Sequence, residues 1–259
     1  MKKFIAMLLA LAMVLSFAAC AGEQTPAATE APATEAPATE APATEAPAQE
    51  TPAEETVTVM TYAEYLAADL DTEVVIETNV QATQSWWDNK ITVYCQDEDG
   101  AYFLYELACS EEDAALLVPG TRIRVTGYKG EWAGEVEIMD GTFEFVEGAD
   151  MTYIGATDYT ELLGTDELIN HQNELAAFFG LTVEAIEYKN GEPGDDIYVT
   201  LGYNGASYSF CVERYLTGPE TEVYTTVGTL QVGDVVNVEG FLYWYEGVNP
   251  HITSIAIAE

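Results

Sequence analysis

A duplicated glycine pattern constrains this chain more than any other feature. Pro119-Gly120-Thr121-Arg122-Ile123-Arg124-Val125-Thr126-Gly127-Tyr128 aligns with Val232-Gly233-Asp234-Val235-Val236-Asn237-Val238-Glu239-Gly240-Phe241. A further glycine follows seven residues on in each copy, Gly134 and Gly247, and then an isoleucine, Ile138 and Ile252. Upstream, Ile91-Thr92-Val93 with Gly100-Ala101 matches Ile197-Tyr198-Val199 with Gly205-Ala206. Landmarks that recur in one order mark two copies of one structural unit. Apolar and β-branched residues alternate within the copies, so the unit is built of strands.

Each copy reads as five strands. In the first they span 73–82, 90–96, 101–107, 121–128 and 135–145, with a short helix over 110–117 that Ser110 caps and Glu111, Glu112 and Asp113 support at its positive end. In the second they span 174–186, 196–201, 206–213, 234–243 and 251–257, and Tyr203-Asn204-Gly205-Ala206 is a type I′ hairpin signal. Three strands, a crossover and two more strands is the order of an OB-fold. The predicted fold is therefore all-β: two tandem five-stranded OB-fold barrels, at 57–148 and 173–259, joined by an interdomain segment at 149–172.

The repeated G-[T/D]-x-[I/V]-x-V-x-G along the fourth strand resembles uncharacterised tandem OB-fold surface lipoproteins of gut Firmicutes. The resemblance spans both units. It implies architecture and location, and little chemistry.

The N-terminal part agrees with that location. Lys2 and Lys3 precede an apolar run from Phe4 to Phe17, and Ala18-Ala19-Cys20 follows. Fourteen apolar residues are too few for a transmembrane span and suit a secretory signal peptide, here 1–19. Small residues before a cysteine resemble a bacterial lipobox, which implies cleavage before Cys20 and lipidation of it. The expected location is the outer face of the bacterial cytoplasmic membrane, held through that anchor. Residues 20–56 form the lipidated cysteine and a linker with four perfect Thr-Glu-Ala-Pro-Ala repeats, starting at Thr29, Thr34, Thr39 and Thr44. Without large apolar residues this Pro/Ala/Thr/Glu tether is expected to be disordered. At about 3.1 Å per residue it reaches roughly 110 Å at most.

Charge and composition narrow the partners. Loss of Lys2 and Lys3 takes the formal charge from −37 to −39 and leaves Lys90, Arg122, Arg124, Lys129, Lys189 and Arg214 as the only cations. Phosphate binding draws on Lys and Arg, so nucleic acid is set aside at this stage. The favoured ligand is an uncharged or cationic oligosaccharide or peptide, or a surface protein. Cys95, Cys109 and Cys211 are an odd number for a disulfide framework, and two histidines make a zinc site improbable. No nucleophile–histidine–carboxylate pattern stands out, so no catalytic residue, cofactor or metal is assigned. Asp97, Asp99, Gly100 and Glu106 match part of an EF-hand loop, but strands flank them where helices are required.

The hairpin register selects candidate site residues. With Gln96 opposite Ala101, Ile91, Val93, Cys95, Tyr102 and Leu104 share the inner face. Thr92, Tyr94, Phe103 and Tyr105 share the outer one. Trp86 and Trp87 in the 1–2 loop and Trp132 in the 4–5 loop flank that outer face, where OB-folds bind ligands. The expected ligand-binding set is Trp86, Trp87, Tyr94, Phe103, Tyr105 and Trp132. Tyr243, Trp244 and Tyr245 form a secondary or interdomain set. The function expected is non-enzymatic ligand binding. A structural docking component of a surface complex and an OB-fold single-stranded nucleic-acid binder are the alternatives.

Overall fold

The computed structural model describes residues 58–258. The signal peptide, Cys20 and the repeat tether lie outside the described residues.

The chain begins with a short helix, α1 (Tyr62–Ala67), too short to stand on propensity alone. A capping box starts it: Thr61 Oγ1 accepts from the Glu64 N–H, and Glu64 accepts from the Thr61 N–H at 2.8 Å. Lys129 ends it, its Nζ donating to the carbonyls of Tyr65, Leu66 and Ala68 at 3.1, 2.9 and 2.8 Å. A cation on these carbonyls satisfies the negative end of the helix. Tyr65 packs into the core beneath, its ring 5.0 Å from that of Tyr102.

Five strands follow: β1 (Glu73–Thr83), β2 (Lys90–Gln96), β3 (Ala101–Ala108), β4 (Arg122–Trp132) and β5 (Glu135–Phe145). They close into a barrel in the order β1-β2-β3-β5-β4, with β3 and β5 parallel and β4 returning to β1. A single turn, α2 (Glu111–Ala114), crosses from β3 to β4 under the Ser110 cap. Gln96 pairs with Ala101 as the alternation demands, and Ile91, Val93, Cys95, Tyr102 and Leu104 all lie in the barrel core.

A second sheet contains β6 (Thr157–Asp158), β7 (Leu175–Tyr188), β8 (Ile197–Tyr203), β9 (Ala206–Val212), β10 (Val235–Phe241) and β11 (His251–Ile257). Its order is β10-β11-β9-β8-β7-β6, and β10 also pairs with β7. Two short helices, α3 (Arg214–Thr217) and α4 (Glu222–Val227), join β9 to β10, and Tyr224 and Val227 seat α4 on the core. Residues 149–172 carry β6 and two 3-10 turns; Tyr159, Leu163 and Leu168 from this stretch pack into the second core.

The repeated glycines have physical reasons. Gly120 and Gly233, at φ 93° and 98°, make the left-handed turns that lead into β4 and β10. Gly127 and Gly240 sit at register shifts in those strands. A Cβ on Gly127 would lie 2.7 Å from Ile138 Cγ2, and one on Gly240 would lie 2.5 Å from the His251 carbonyl oxygen. The strands cross too closely there for any side chain.

Among the described residues the cysteines Cys95, Cys109 and Cys211 are buried free thiols. Among the described residues no helix is long and apolar enough to cross a membrane.

Candidate functional site

The outer face of the β2–β3 hairpin is divided in two. Its near half is closed by the second sheet. Tyr94 and Phe103 retain 1% and 3% of their exposure, and with Leu175 and Phe241 they form a separate apolar cluster. Tyr94 stacks on Phe241 at 4.5 Å between ring centroids, and Phe103 meets Tyr243 edge-on at 5.2 Å. Burying a side chain of this size contributes about 1.5–3 kcal/mol. Polar bonds complete the seam. Gln84 Nε2 donates to Tyr94 Oη at 3.2 Å, leaving the phenol to donate to His251 Nδ1 at 2.6 Å. Burial holds His251 down to about 3, so the ring is neutral and fit to accept. Gln96 Oε1 accepts from the Leu175 N–H at 2.8 Å.

The far half is open. A cavity of about 400 Å³ lies between the hairpin, the 1–2 loop and α3. Trp87, Tyr105 and Tyr215 present exposed rings to it, and Gln84, Ser85 and Lys90 complete its polar wall. A tight turn places Trp87: its N–H and carbonyl pair with Lys90 at 3.0 and 2.8 Å, and Asp88 and Asn89 between them have φ of 47° and 60°. Positive φ at both central residues defines a type I′ turn, whose twist matches that of the flanking strands. It leaves the Trp87 indole 75% exposed. Tyr215 comes from α3, tied to the first barrel by the Ser85 N–H donating to the Tyr215 carbonyl at 2.8 Å.

Lys90 Nζ bonds Glu106 Oε2 at 2.7 Å. Glu106 is itself left-handed, at φ 48°, where the β2–β3 register shifts, and its N–H donates to Thr92 Oγ1 at 3.2 Å. A second groove of about 470 Å³ shares Lys90, Tyr105 and Glu106 and continues past Asp88, Asn89 and Asp140. Four left-handed non-glycine residues, Asp88, Asn89, Glu106 and Asp140, thus line one continuous groove. Backbone strain of this kind concentrates at functional sites.

The cations divide unequally. Arg122 and Arg124 are tied to Glu77, Asp97 and Glu144, Lys129 serves α1, and Lys189 bonds Asp196 at 2.8 Å. Lys90 lines the cleft while paired with Glu106, and the Arg214 guanidinium lies 5.0 Å from the centre of the Tyr215 ring and 3.9 Å from Asp195 Oδ1. Among the described residues no group of three or more His, Cys, Asp or Glu side chains is placed to hold a metal.

The aromatic set expected from the sequence therefore separates. Trp87 and Tyr105 line the cleft. Tyr94 and Phe103 do not form an exposed binding face, because the second sheet covers them. Trp86 turns inward against the first core, its Nε1 donating to the Cys109 carbonyl at 2.9 Å. Trp132 is 62% exposed but lies outside the cleft. From the secondary set, Tyr243 stacks on His251 at 4.2 Å, the Trp244 N–H donates to Glu135 at 2.8 Å across the seam, and Tyr245 is exposed. Tyr215 and Gln84 lie outside the hairpin, and a reading of the hairpin alone does not find them.

No protein-family model and no curated protein matches the chain. Solved structures similar to it include the p204 HINb domain, at 11% identity and a TM-score of 0.34, covering 74% of this chain and 100% of that one. A murine DNA-binding protein bound with double-stranded DNA matches at 9% identity and 0.36, covering 71% and 96%. A replication protein A heterotrimer bound to single-stranded DNA matches at 14% and 0.29, covering 70% and 50%. At TM-scores below 0.5 these likenesses carry no argument about this chain. The expectation of an oligosaccharide or peptide ligand, with nucleic acid set aside, is nevertheless corrected. Half of the aromatic face that carried that expectation is interior.

Proposed function

We propose that the chain is a non-enzymatic single-stranded nucleic-acid binder built from two tandem OB-fold barrels, held outside the cell by a lipid on Cys20 in the manner of the tandem OB-fold surface lipoproteins that it resembles. The observation that carries the binding reading is the convergence of Trp87, Tyr105 and Tyr215 on one open cleft, with Lys90 and Arg214 beside it. Rings exposed in a groove stack on unpaired bases at about 1–3 kcal/mol per base, whatever the sequence. Bases in a duplex are already stacked, so the ligand is single-stranded.

The acidic chain sets the character of the binding. Two cations give a salt slope of at most about −1.4 in log K against log salt, at about −0.7 per neutralised phosphate on a single strand. Repulsion from the remaining carboxylates is itself screened by salt and flattens the slope further. Stacking, not counterion release, is the main source of affinity.

The test is a titration with oligothymidylate and oligoadenylate, read by tryptophan fluorescence at low and moderate salt. Binding is expected to change little with salt and to weaken about five- to 150-fold in Trp87→Ala, the equivalent of 1–3 kcal/mol. Absence of binding, or equal binding by that variant, refutes the reading. Location is tested separately: Cys20→Ala is expected to move the protein from the membrane fraction to the medium.

A further inference from the structure

One side chain at the seam has an unmet hydrogen-bonding demand. Glu135 opens β5 and is fully inaccessible, at 0% exposure. Its Oε2 accepts from the Trp244 N–H of the second barrel at 2.8 Å and from Gln172 Nε2 of the segment leading into it at 3.3 Å. Its Oε1 is buried without a partner, and so is the neighbouring Asn173 Oδ1. The Asn173 amide is oriented by its Nδ2, which donates to the Val136 carbonyl at 3.2 Å. Turning the amide over would set two carbonyl oxygens against each other. Two buried acceptors at the seam therefore lack a donor, and one proton shared between them supplies it.

We propose that Glu135 is a neutral carboxylic acid whose Oε1–H donates to Asn173 Oδ1, forming a proton latch that clamps the two barrels together. The groups around it agree. Glu137 faces it from β5, Tyr65 from α1, Tyr94 from β2 and Tyr243 from the segment after β10. None is a cation, and Lys129 is committed to three carbonyls of α1. Burial pushes the Glu135 carboxyl well above the usual range against the lowering hydrogen bonds from the Trp244 N–H and Asn173, and Glu137 adds a smaller push upward. Two further bonds depend on the same docking: Gln172 Nε2 to the Gly134 carbonyl at 2.8 Å and the Glu246 N–H to the Ala133 carbonyl at 2.8 Å.

The latch also regulates the cleft, a consequence that rests on the binding reading above. Tyr215 reaches the cleft from the second barrel, so the stacking platform is complete only while the barrels are docked. Ionisation of Glu135 removes the donor and places a charge in the seam, which loosens Tyr215 from Trp87 and Tyr105.

Glu135→Gln tests this directly. The amide accepts from the Trp244 N–H and donates to Asn173 Oδ1 with no titratable proton. The variant is expected to melt within about a degree of wild type at pH 5 and above it at pH 8. The Glu135 carboxyl carbon, followed by NMR, is expected to show no titration between pH 4 and 6. A carboxyl that titrates in that range, or a Gln variant equally destabilised at both pH values, overturns the latch. Oligothymidylate affinity is expected to fall from pH 5 to pH 8 in wild type more than in Glu135→Gln. Parallel falls in both overturn the regulation and leave the latch to the melting data. If neither form binds, the binding reading fails while the NMR and melting results still decide the latch.

Discussion

Removing one oxygen from Tyr94 separates a seam residue from a surface one. Tyr94→Phe preserves the ring that stacks on Phe241 at 4.5 Å and changes the buried apolar volume little. It deletes the hydroxyl that meets His251 Nδ1 at 2.6 Å and Gln84 Nε2 at 3.2 Å. His251 is buried and neutral, so its Nδ1 lone pair would stay in the seam with no donor. Leaving one buried polar group unpaired costs about 1–3 kcal/mol. For a folded region of this size each kilocalorie moves the melting temperature by about 2–4 °C, giving a fall of about 2–12 °C. The assay is a thermal melt followed by circular dichroism at pH 7, with Tyr105→Phe as the comparison. The Tyr105 ring is 41% exposed, so its change is expected to be within about a degree. A Tyr94→Phe protein that melts with wild type refutes the buried chain from Gln84 through Tyr94 to His251, and with it the covered face.

Other perturbations test other parts of the account. Burial raises the carboxyls of Glu137 and Glu213 to about 7, so the folded chain binds more protons than the unfolded one between about 4.3 and that value. Their contribution is present below pH 4.3 and lost as pH rises to about 7. His251, depressed to about 3, works in the opposite sense below about 6.5, but it stands against Glu137, Glu213 and the raised carboxyls of Glu135 and Asp97. The melting temperature is therefore expected to be higher at pH 5 than at pH 7.5, and the reverse order contradicts the burial of these acids. Gly240→Ala would force a Cβ to within 2.5 Å of the His251 carbonyl and is expected to cost about 1–3 kcal/mol by chemical denaturation. Gly240 has no positive φ, so its cost is the collision alone; Gly205→Ala, at φ 82° with nothing within 4 Å of its Cβ, carries the φ penalty alone and serves as the comparison.

Much of the architecture was legible because strand alternation is strict. Placing Gln96 opposite Ala101 assigns Ile91, Val93, Cys95, Tyr102 and Leu104 to the interior, and all five are there. The recurring glycines were visible as a pattern, and their cause, a close strand crossing at Gly127 and Gly240, required coordinates. The site was only partly legible. Alternation says which side of a sheet a residue faces, not whether water or another sheet meets it there. Tyr94 and Tyr105 face the same way in one strand pair, yet one is under Phe241 and the other is open. Trp86 and Trp87 are adjacent and part company because a type I′ turn begins at Trp87. Tyr215 belongs to a short crossover helix of the other unit, and nothing local to the hairpin announces it. Net charge is silent on position. It counts every carboxylate and is blind to where Lys90 and Arg214 stand.

The central claim, that bases stack in the Trp87 cleft, is tested most directly by the indole signals of the ¹⁵N-labelled protein during titration with oligothymidylate. The chain has four tryptophans, so four indole N–H resonances report on four distinct places. Trp87 is expected to shift and broaden, while Trp86, hydrogen-bonded to the Cys109 carbonyl, and Trp244, packed in the second core, stay in place. A Trp87 resonance unmoved at saturating oligonucleotide, or a shift confined to Trp132, contradicts the account.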